Sequence, residues 1–538
     1  MAVDAPSGRP AASGGAKALR RRGLHRYRRW FQAFFLIFFL VLLTLTVWPL
    51  GRVFLGAFLV VDPIMALNSL VNGVARWEML LALVVLLSPL VIGRAFCGYL
   101  CPLGLLVELT GPRRQRPKTG RLHEVLRRFP PFVLVAVLGF ILFGSAAFLV
   151  FDPLSLVTRS ATTLLFPFLD RMARLVGDVM YLVPPLRGVV DAVTGVLTGR
   201  IIFARPLMFA LQMGILGMFV GVLGLSLVER RLWCRHLCPL GALLGLVGRF
   251  AVFGRVVDES RCVRCLKCEA VCPLDAVRDR GLATDATRCQ LGLECADTCP
   301  EGAIHLGFRG KKVAYDPSRR ALLKAGGLAM VGGFFLFTSK SRAERDVFLI
   351  RPPGARPENR LLGLCSRCGQ CMKVCPTNVI QPAVLAAGLE GMMTPQMDFE
   401  HGYCDYSCNE CGKVCPTGAL QALTLEAKRK TAIGRAYIDK NRCLPWADAI
   451  NCLVCQELCP TPEKAIVFVQ ETAVAPGGGQ VALKRPVVVA ERCIGCGICQ
   501  FNCPLAHEAA VRVRATRNQT SAAQPVASLP SGTGVVGS

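Results

Sequence analysis

Twenty-seven cysteines occur in this chain of 538 residues, and their spacing indicates what they do. An odd number suits a disulfide framework poorly, and they fall in tight groups with two-residue gaps that mostly close on Cys-Pro. Cys262, Cys265, Cys268 and Cys272-Pro273 follow the steps of a bacterial ferredoxin run for a 4Fe-4S cluster. Three thiolates on one short loop reach three irons of a cubane. The fourth serves the neighbouring cluster, and the proline turns the chain away. Zinc also takes Cys-x-x-Cys pairs, but four cysteines at these steps favour iron and sulfide.

The partner run is Cys289, Cys295 and Cys299-Pro300, with Gly292 where a second cysteine is expected. By the usual crossing, one cluster takes Cys262, Cys265, Cys268 and Cys299. The incomplete one takes Cys272, Cys289 and Cys295, as a 3Fe-4S cluster or as a 4Fe-4S cluster with a ligand from elsewhere or from solvent. Glu294 and Asp297 are nearby oxygen donors, and the spacing selects neither.

Four more groups follow: Cys365, Cys368, Cys371, Cys375; Cys404, Cys408, Cys411, Cys415; Cys443, Cys452, Cys455, Cys459; and Cys493, Cys496, Cys499, Cys503. They predict four further clusters, six in all. Which groups exchange their last cysteine is not readable. The loops are long enough for a nested order, first with fourth and second with third.

Two pairs remain, Cys97 with Cys101-Pro102 and Cys234 with Cys238-Pro239. Cysteines four apart on a helix share a face. If the segments carrying them pack about a pseudo-twofold axis, four thiols converge. They would then hold a seventh cluster or another thiolate metal site; the plainer alternatives are a redox-active thiol pair or free cysteines. Arg94 and Arg231 precede the two pairs and favour thiolates. Asp62 and Asp152 are duplicated too. They are weak candidates for taking protons from a quinol, and Asp-Pro as helix cap and first residue is the favoured reading. His236 has Tyr99 as its counterpart, so a shared ligand role is not expected. No Cys-x-x-Cys-His, Walker or Rossmann fingerprint occurs.

These residues are positioned by apolar segments. Hydrophobic residues make up 53% and charged residues 18% of the chain, too apolar for a wholly soluble protein. The net charge of +27 sits beside apolar runs, as membrane flanks do, so lipid rather than nucleic acid is the expected partner. Trp30–Leu50, Trp77–Ile92, Pro130–Phe151 and Leu207–Val228 read as four spans. They form an internal repeat: "FLVVDPI" follows the first and "FLVFDPL" the third, while "CGYLCPLG" and "CRHLCPLG" follow the second and fourth. The stretch 154–206 has amphipathic parts suited to a surface. Arginines at 20–29, 94–128 and 230–235 place their side in the cytoplasm.

Ser318-Arg319-Arg320-Ala321-Leu322-Leu323-Lys324 opens a short glycine-rich apolar stretch and matches a twin-arginine export signal, here internal. Clusters fix the fold of what binds them, so the module that follows needs a route for folded cargo. The alternative is a buried helix with both modules cytoplasmic.

The expected fold is a membrane α-helical domain of four spans in two repeats, a fifth signal-anchor helix, and α+β bacterial-type ferredoxin modules. The expected divisions are a disordered basic tail (1–29), the membrane domain (30–254), a cytoplasmic two-cluster ferredoxin (255–312), the signal anchor (313–340), a four-cluster ferredoxin (341–512) and a disordered tail (513–538).

The motifs "AFCGYLCPLG", "WCRHLCPLGA" and "CVRCLKCEAVCP" resemble the NapH-type membrane ferredoxin of periplasmic nitrate reductase systems and its relative in methylamine utilisation. "SRRALLK", "RPPGA", "CSRCGQCMKVCP", "GYCDYSCNECGKVCPTGAL" and "CIGCGICQFNCP" resemble the NapG- or MauM-type exported ferredoxin. The resemblance implies a fusion in the bacterial inner membrane with its C-terminal ferredoxin in the periplasm. It implies a quinol dehydrogenase module passing electrons to a periplasmic redox enzyme or cytochrome, an electron-transfer subunit rather than a self-contained catalyst. Two alternatives are a redox-sensing or maturation protein like the nitrous-oxide regulatory membrane proteins, and a cytoplasmic ferredoxin hub on a membrane anchor.

Overall fold

The computed structural model describes residues 24–46, 56–112, 126–127, 129–198, 201–203, 205–309, 323–324, 326–328, 330–332, 348–474 and 480–516. Arg319, Arg320 and most of the expected signal anchor lie outside them, as do most of both expected tails.

The first helix, α1 (Leu24–Thr44), begins six residues before the expected span. It does so because Arg28 is not part of a free tail: it is buried and ion-paired to Glu108 and Glu294. Four short helices then start at matching places of the repeat, each at a cap-proline dipeptide. They are α2 (Pro63–Val71), α4 (Pro102–Thr110), α6 (Pro153–Ser160) and α10 (Pro239–Gly248). Asp62 Oδ1 accepts from the Ile64 and Met65 amides at 2.8 and 3.4 Å. Asp152 Oδ2 accepts from Leu154 and Ser155 at 2.9 and 3.0 Å. Cys101 and Cys238 occupy the same capping position on the other two.

Between them run α3 (Met79–Ile92), α5 (Pro130–Leu142) and α9 (Gln212–Val228). These are shorter than the expected spans. Gly93 and Gly144 adopt left-handed backbone at φ 60° and 66° and end α3 and α5. Among the described residues only Tyr27–Thr44 is long and apolar enough to cross a bilayer by itself. All three shorter helices nonetheless leave large apolar side chains uncovered: Leu80 and Val84 on α3, Leu142 on α5, Met213 and Leu227 on α9. Exposed apolar side chains gathered on neighbouring helices mark a contact with another protein or with a membrane. Two amphipathic helices, α7 (Phe166–Tyr181) and α8 (Arg187–Leu197), fill the expected surface stretch.

Both ferredoxin modules are α+β. In the first, strand Phe253–Val257 pairs antiparallel with Ile304–Phe308. In the second, Arg435–Ile438 pairs with Val511–Arg514, and Ile466–Val474 with Gln480–Val488. The modules dock at opposite ends of α1. Near its start Arg28 binds Glu294 of the first at 2.9 Å. Near its end the Leu43 and Thr46 carbonyls accept from buried Lys373 of the second. Arg28 and Leu43 are about 22 Å apart at 1.5 Å per helical residue.

Candidate iron-sulfur sites

Wherever three cysteines step by three residues, the loop takes one backbone form. The residues either side of the middle position are left-handed: Arg264 and Leu266 at φ 51° and 59°, Arg367 and Gly369 at 58° and 78°, Gly495 and Gly497 at 72° and 77°. Leu291 and Leu293, at 54° and 60°, flank Gly292 in the same way. The loop lacking a cysteine therefore keeps the ligating conformation. A left-handed non-glycine residue costs about 1–2 kcal/mol, which cluster ligation must offset. The groups with wider first steps, around Cys408 and Cys452, do not share this pattern.

The tertiary structure assembles the sets. Cys262, Cys265, Cys268 and Cys299 line one cavity, as the crossing predicts. Cys272 and Cys289 lie within electrostatic range of Cys295. Cys365, Cys368, Cys371 and Cys415 line another cavity, while Cys375 joins Cys404, Cys408 and Cys411. Cys443, Cys452, Cys455 and Cys503 surround a third, and Cys459, Cys493, Cys496 and Cys499 a fourth. The exchange is therefore between adjacent groups, first with second and third with fourth, and the nested order does not occur. The Cys404 amide donates to the Cys496 carbonyl at 2.8 Å and brings the two pairs together.

These rings fit cubane clusters. Among the described residues no three His, Cys, Asp or Glu side chains gather closely enough to hold a single ion, as a zinc array would require. Burial pushes the thiols of Cys295, Cys368, Cys408, Cys455 and Cys496 up to about 12. They become thiolates only when metal displaces the proton. Backbone amides point at several sulfurs: Ala276 at Cys272 (3.2 Å), Leu420 at Cys415 (3.4 Å) and Ala436 at Cys493 (3.3 Å). Sequence reasoning missed one recurring feature. In Cys-Pro-Thr at 375, 415 and 459, the hydroxyls of Thr377, Thr417 and Thr461 approach the sulfur at 3.5, 3.8 and 3.2 Å. Burial raises the Cys459 thiol, but hydrogen bonds from Thr461 and nearby amides outweigh it and leave it below its usual value.

Around Gly292, Glu294 is engaged. Glu294 pairs with Arg28 and Arg230 at 2.9 and 2.8 Å. A side chain at 292 would meet Gln290 and Arg28 only at ordinary contact distance.

Cys97, Cys101, Cys234 and Cys238 do converge, each within electrostatic range of the others. Arg94 and Arg231 are both buried beside them. Arg94 crosses between repeats to bind the Cys234 carbonyl at 3.2 Å. Arg231 pairs with Glu108, which also accepts from Arg28 at 2.9 Å. Tyr99 and His236 are indeed not equivalent: the Tyr99 hydroxyl donates to the Leu291 carbonyl at 2.8 Å, while His236 is buried near Glu229. Asp62 and Asp152 are the caps described above. Both are fully buried, and their remaining oxygens face each other between the two repeats.

A 4Fe-4S binding domain family matches residues 77–119, 211–256 and 411–433, and others of that description match 255–278 and 484–505. A 4Fe-4S dicluster domain family matches 364–419, the span of the first exchanging pair. The ferredoxin-type protein NapH of Escherichia coli is 26% identical over 275 residues, 48% of this chain and 80% of its own length. NapG of the same organism is 35% identical over 151 residues, 28% of this chain and 64% of its own. The methylamine utilization ferredoxin-type protein MauM of Methylorubrum extorquens is 35% identical over 166 residues, 29% of this chain and 73% of its own. No solved structure matches the chain. Ligand loops, thiol rings and likenesses agree: this is an iron-sulfur electron-transfer protein of the MauM and NapG ferredoxin-type family, fused to a half of the NapH and MauN type.

Proposed function

We propose that this protein carries electrons across the bacterial inner membrane, from quinol or a cytoplasmic donor to a periplasmic redox enzyme. The observation that carries the reading is the docking of the two ferredoxin modules at opposite ends of α1, among the described residues the one helix long enough to span lipid by itself. In this reading the four apolar helices and the anchor cross the membrane, and residues 348–516 lie outside. The clusters supply one-electron transfer. The cysteines named above hold six of them, with three protein thiolates at the Cys272, Cys289 and Cys295 site. The chain's own work is ligation, exclusion of water, and the amide and hydroxyl contacts to sulfur that set potentials.

Opposite docking disfavours a cytoplasmic hub, which needs both modules on one side. Two measurements test the proposal. Impermeant labelling of intact spheroplasts should reach surface residues of the 348–516 module and not those of 253–309. A short-chain quinol added to purified full-length protein should reduce the clusters. Labelling of the C-terminal module only after lysis would overturn the topology, and failure of every quinol would leave the cytoplasmic donor as the electron source.

A further inference from the structure

Two buried donors stand where the inner ferredoxin lacks a cysteine. A Cβ on Gly292 would lie 3.6 Å from Gln290 Nε2 and 4.0 Å from Arg28 Nε. Gln290 and Arg28 are 3% and 1% exposed, and neither nitrogen has a hydrogen-bond partner among the described residues. We propose that these two nitrogens bind a small anion, hydroxide from solvent, at the place of the missing thiolate, where it serves as the fourth ligand of a 4Fe-4S cluster. The proposal rests on the three-thiolate site described above, and on neither the topology nor the direction of electron flow.

Both donors are fixed in place by partners on their other atoms. Arg231 donates to Gln290 Oε1, which leaves Nε2 turned toward residue 292. Nη1 of Arg28 binds Glu108 and Nη2 binds Glu294, each at 2.9 Å, so that only Nε is left over. A buried N–H without an acceptor is costly, and an acceptor beside residue 292 relieves two of them at once. The surrounding charge selects an anion. Buried Arg28, Arg230 and Arg231 share two carboxylates, Glu108 and Glu294, which leaves one positive charge in excess. Glu294 is not free to serve as the ligand itself: Oε1 accepts from Arg28 and Arg230, and Oε2 from Arg230.

Residue 292 belongs to the ligand ring by backbone geometry. Leu291 and Leu293 hold the left-handed conformation that flanks Cys265 in the complete loop. Arg230 Nη1 donates to the Val271 carbonyl at 3.1 Å and to Glu294 Oε2 at 2.8 Å. One guanidinium thus ties the residue before Cys272 to the residue before Cys295. Gly292 itself is only partly buried, so water reaches the loop. Binding takes up one water and releases one proton to solvent, and no electron moves. Glycine at 292 leaves this place to the anion, where a cysteine would fill it.

The test uses full-length protein purified anaerobically from cells grown on 57Fe. Mössbauer spectra of the wild type should show one iron distinct from its three neighbours in a single cluster. In water enriched in 17O, the reduced protein should show an electron-nuclear double resonance coupling to 17O. Gly292→Cys should abolish that coupling, because the thiolate takes the place of the oxygen. Gln290→Leu and Arg28→Lys each remove one of the two donors. Both should lose the distinct iron to ferricyanide about tenfold faster than wild type, the worth of one hydrogen bond to a charged group, with the other clusters intact. A three-iron cluster in the anaerobic wild type overturns the proposal, as does a distinct iron without 17O coupling. Variants that keep the distinct iron as long as wild type does also overturn it. If either variant fails to fold, the 17O spectra of wild type and Gly292→Cys decide alone. Absence of iron from this site would refute the three-thiolate reading and the proposal together. Failure of quinol reduction or of the labelling pattern would refute the proposed function and leave these spectra unchanged.

Discussion

Gly292→Cys restores the one ligand that the inner ferredoxin lacks. The loop is ready for it: Leu291 and Leu293 hold φ of 54° and 60°, against 51° and 59° for Arg264 and Leu266 around Cys265. Gly292 itself has no left-handed φ, so a side chain brings no backbone strain. The nearest atoms to its added Cβ would be Gln290 Nε2 at 3.6 Å and Arg28 Nε at 4.0 Å, ordinary contacts. Replacing glycine at a compatible site should itself stabilise by about 0.4–1 kcal/mol through the unfolded chain. If the wild-type site is 3Fe-4S, the variant should gain one iron per chain and lose the electron paramagnetic resonance of the oxidised three-iron cluster. If the site already holds four irons, one bound by a non-thiolate ligand, the iron count should stay constant. The distinct Mössbauer subsite should then merge with the other three. Iron content and spectra identical to wild type would refute the argument that the open corner lies at residue 292.

Three further outcomes follow from particular contacts. Thr461→Val removes the hydroxyl that lies 3.2 Å from the Cys459 sulfur and shares its proton between that sulfur and the Glu463 carbonyl at 2.8 Å. A net hydrogen bond of about 0.5–1.5 kcal/mol corresponds to about 20–65 mV for one electron. The potential of the cluster held by Cys459, Cys493, Cys496 and Cys499 should fall by that amount in a redox titration, and an unchanged potential would refute the role. Lys373→Met should lower thermal stability by about 1–3 kcal/mol, because Lys373 is fully buried and its loss strands the Thr46 carbonyl, while the Leu43 carbonyl keeps the Thr46 amide; calorimetry of the detergent-solubilised protein reads this, and a melting temperature equal to wild type would show that the contact does not secure the module. Loss of iron to a chelator should quicken as pH falls from about 8 to about 6. Burial holds Cys368, Cys408, Cys455 and Cys496 at about 12 without metal, so each takes up a proton as iron leaves. Bleaching of the visible absorbance measures this, and a pH-independent rate would exclude it.

The sequence by itself determined the chemistry, since ligand spacing is local. Three thiolates on one loop need only a few residues of chain, and steps of three impose the left-handed flanks seen from Arg264 to Gly497. It also determined the repeat, because Asp-Pro and Cys-Pro each carry a cap and a fixed φ to start a helix. The glycine that follows α5 was visible, but its left-handed φ was not, so the expected third span runs past the end of that helix. Only the tertiary structure decided which groups exchange their fourth cysteine, because loops of this length close at nearly the same entropic cost in either order. The same holds for the convergence of four cysteines from two loops, the facing of Asp62 and Asp152, and the burial of Arg28 and Lys373 at opposite ends of one helix. Each depends on the packing of segments far apart in the chain, which residue spacing does not encode.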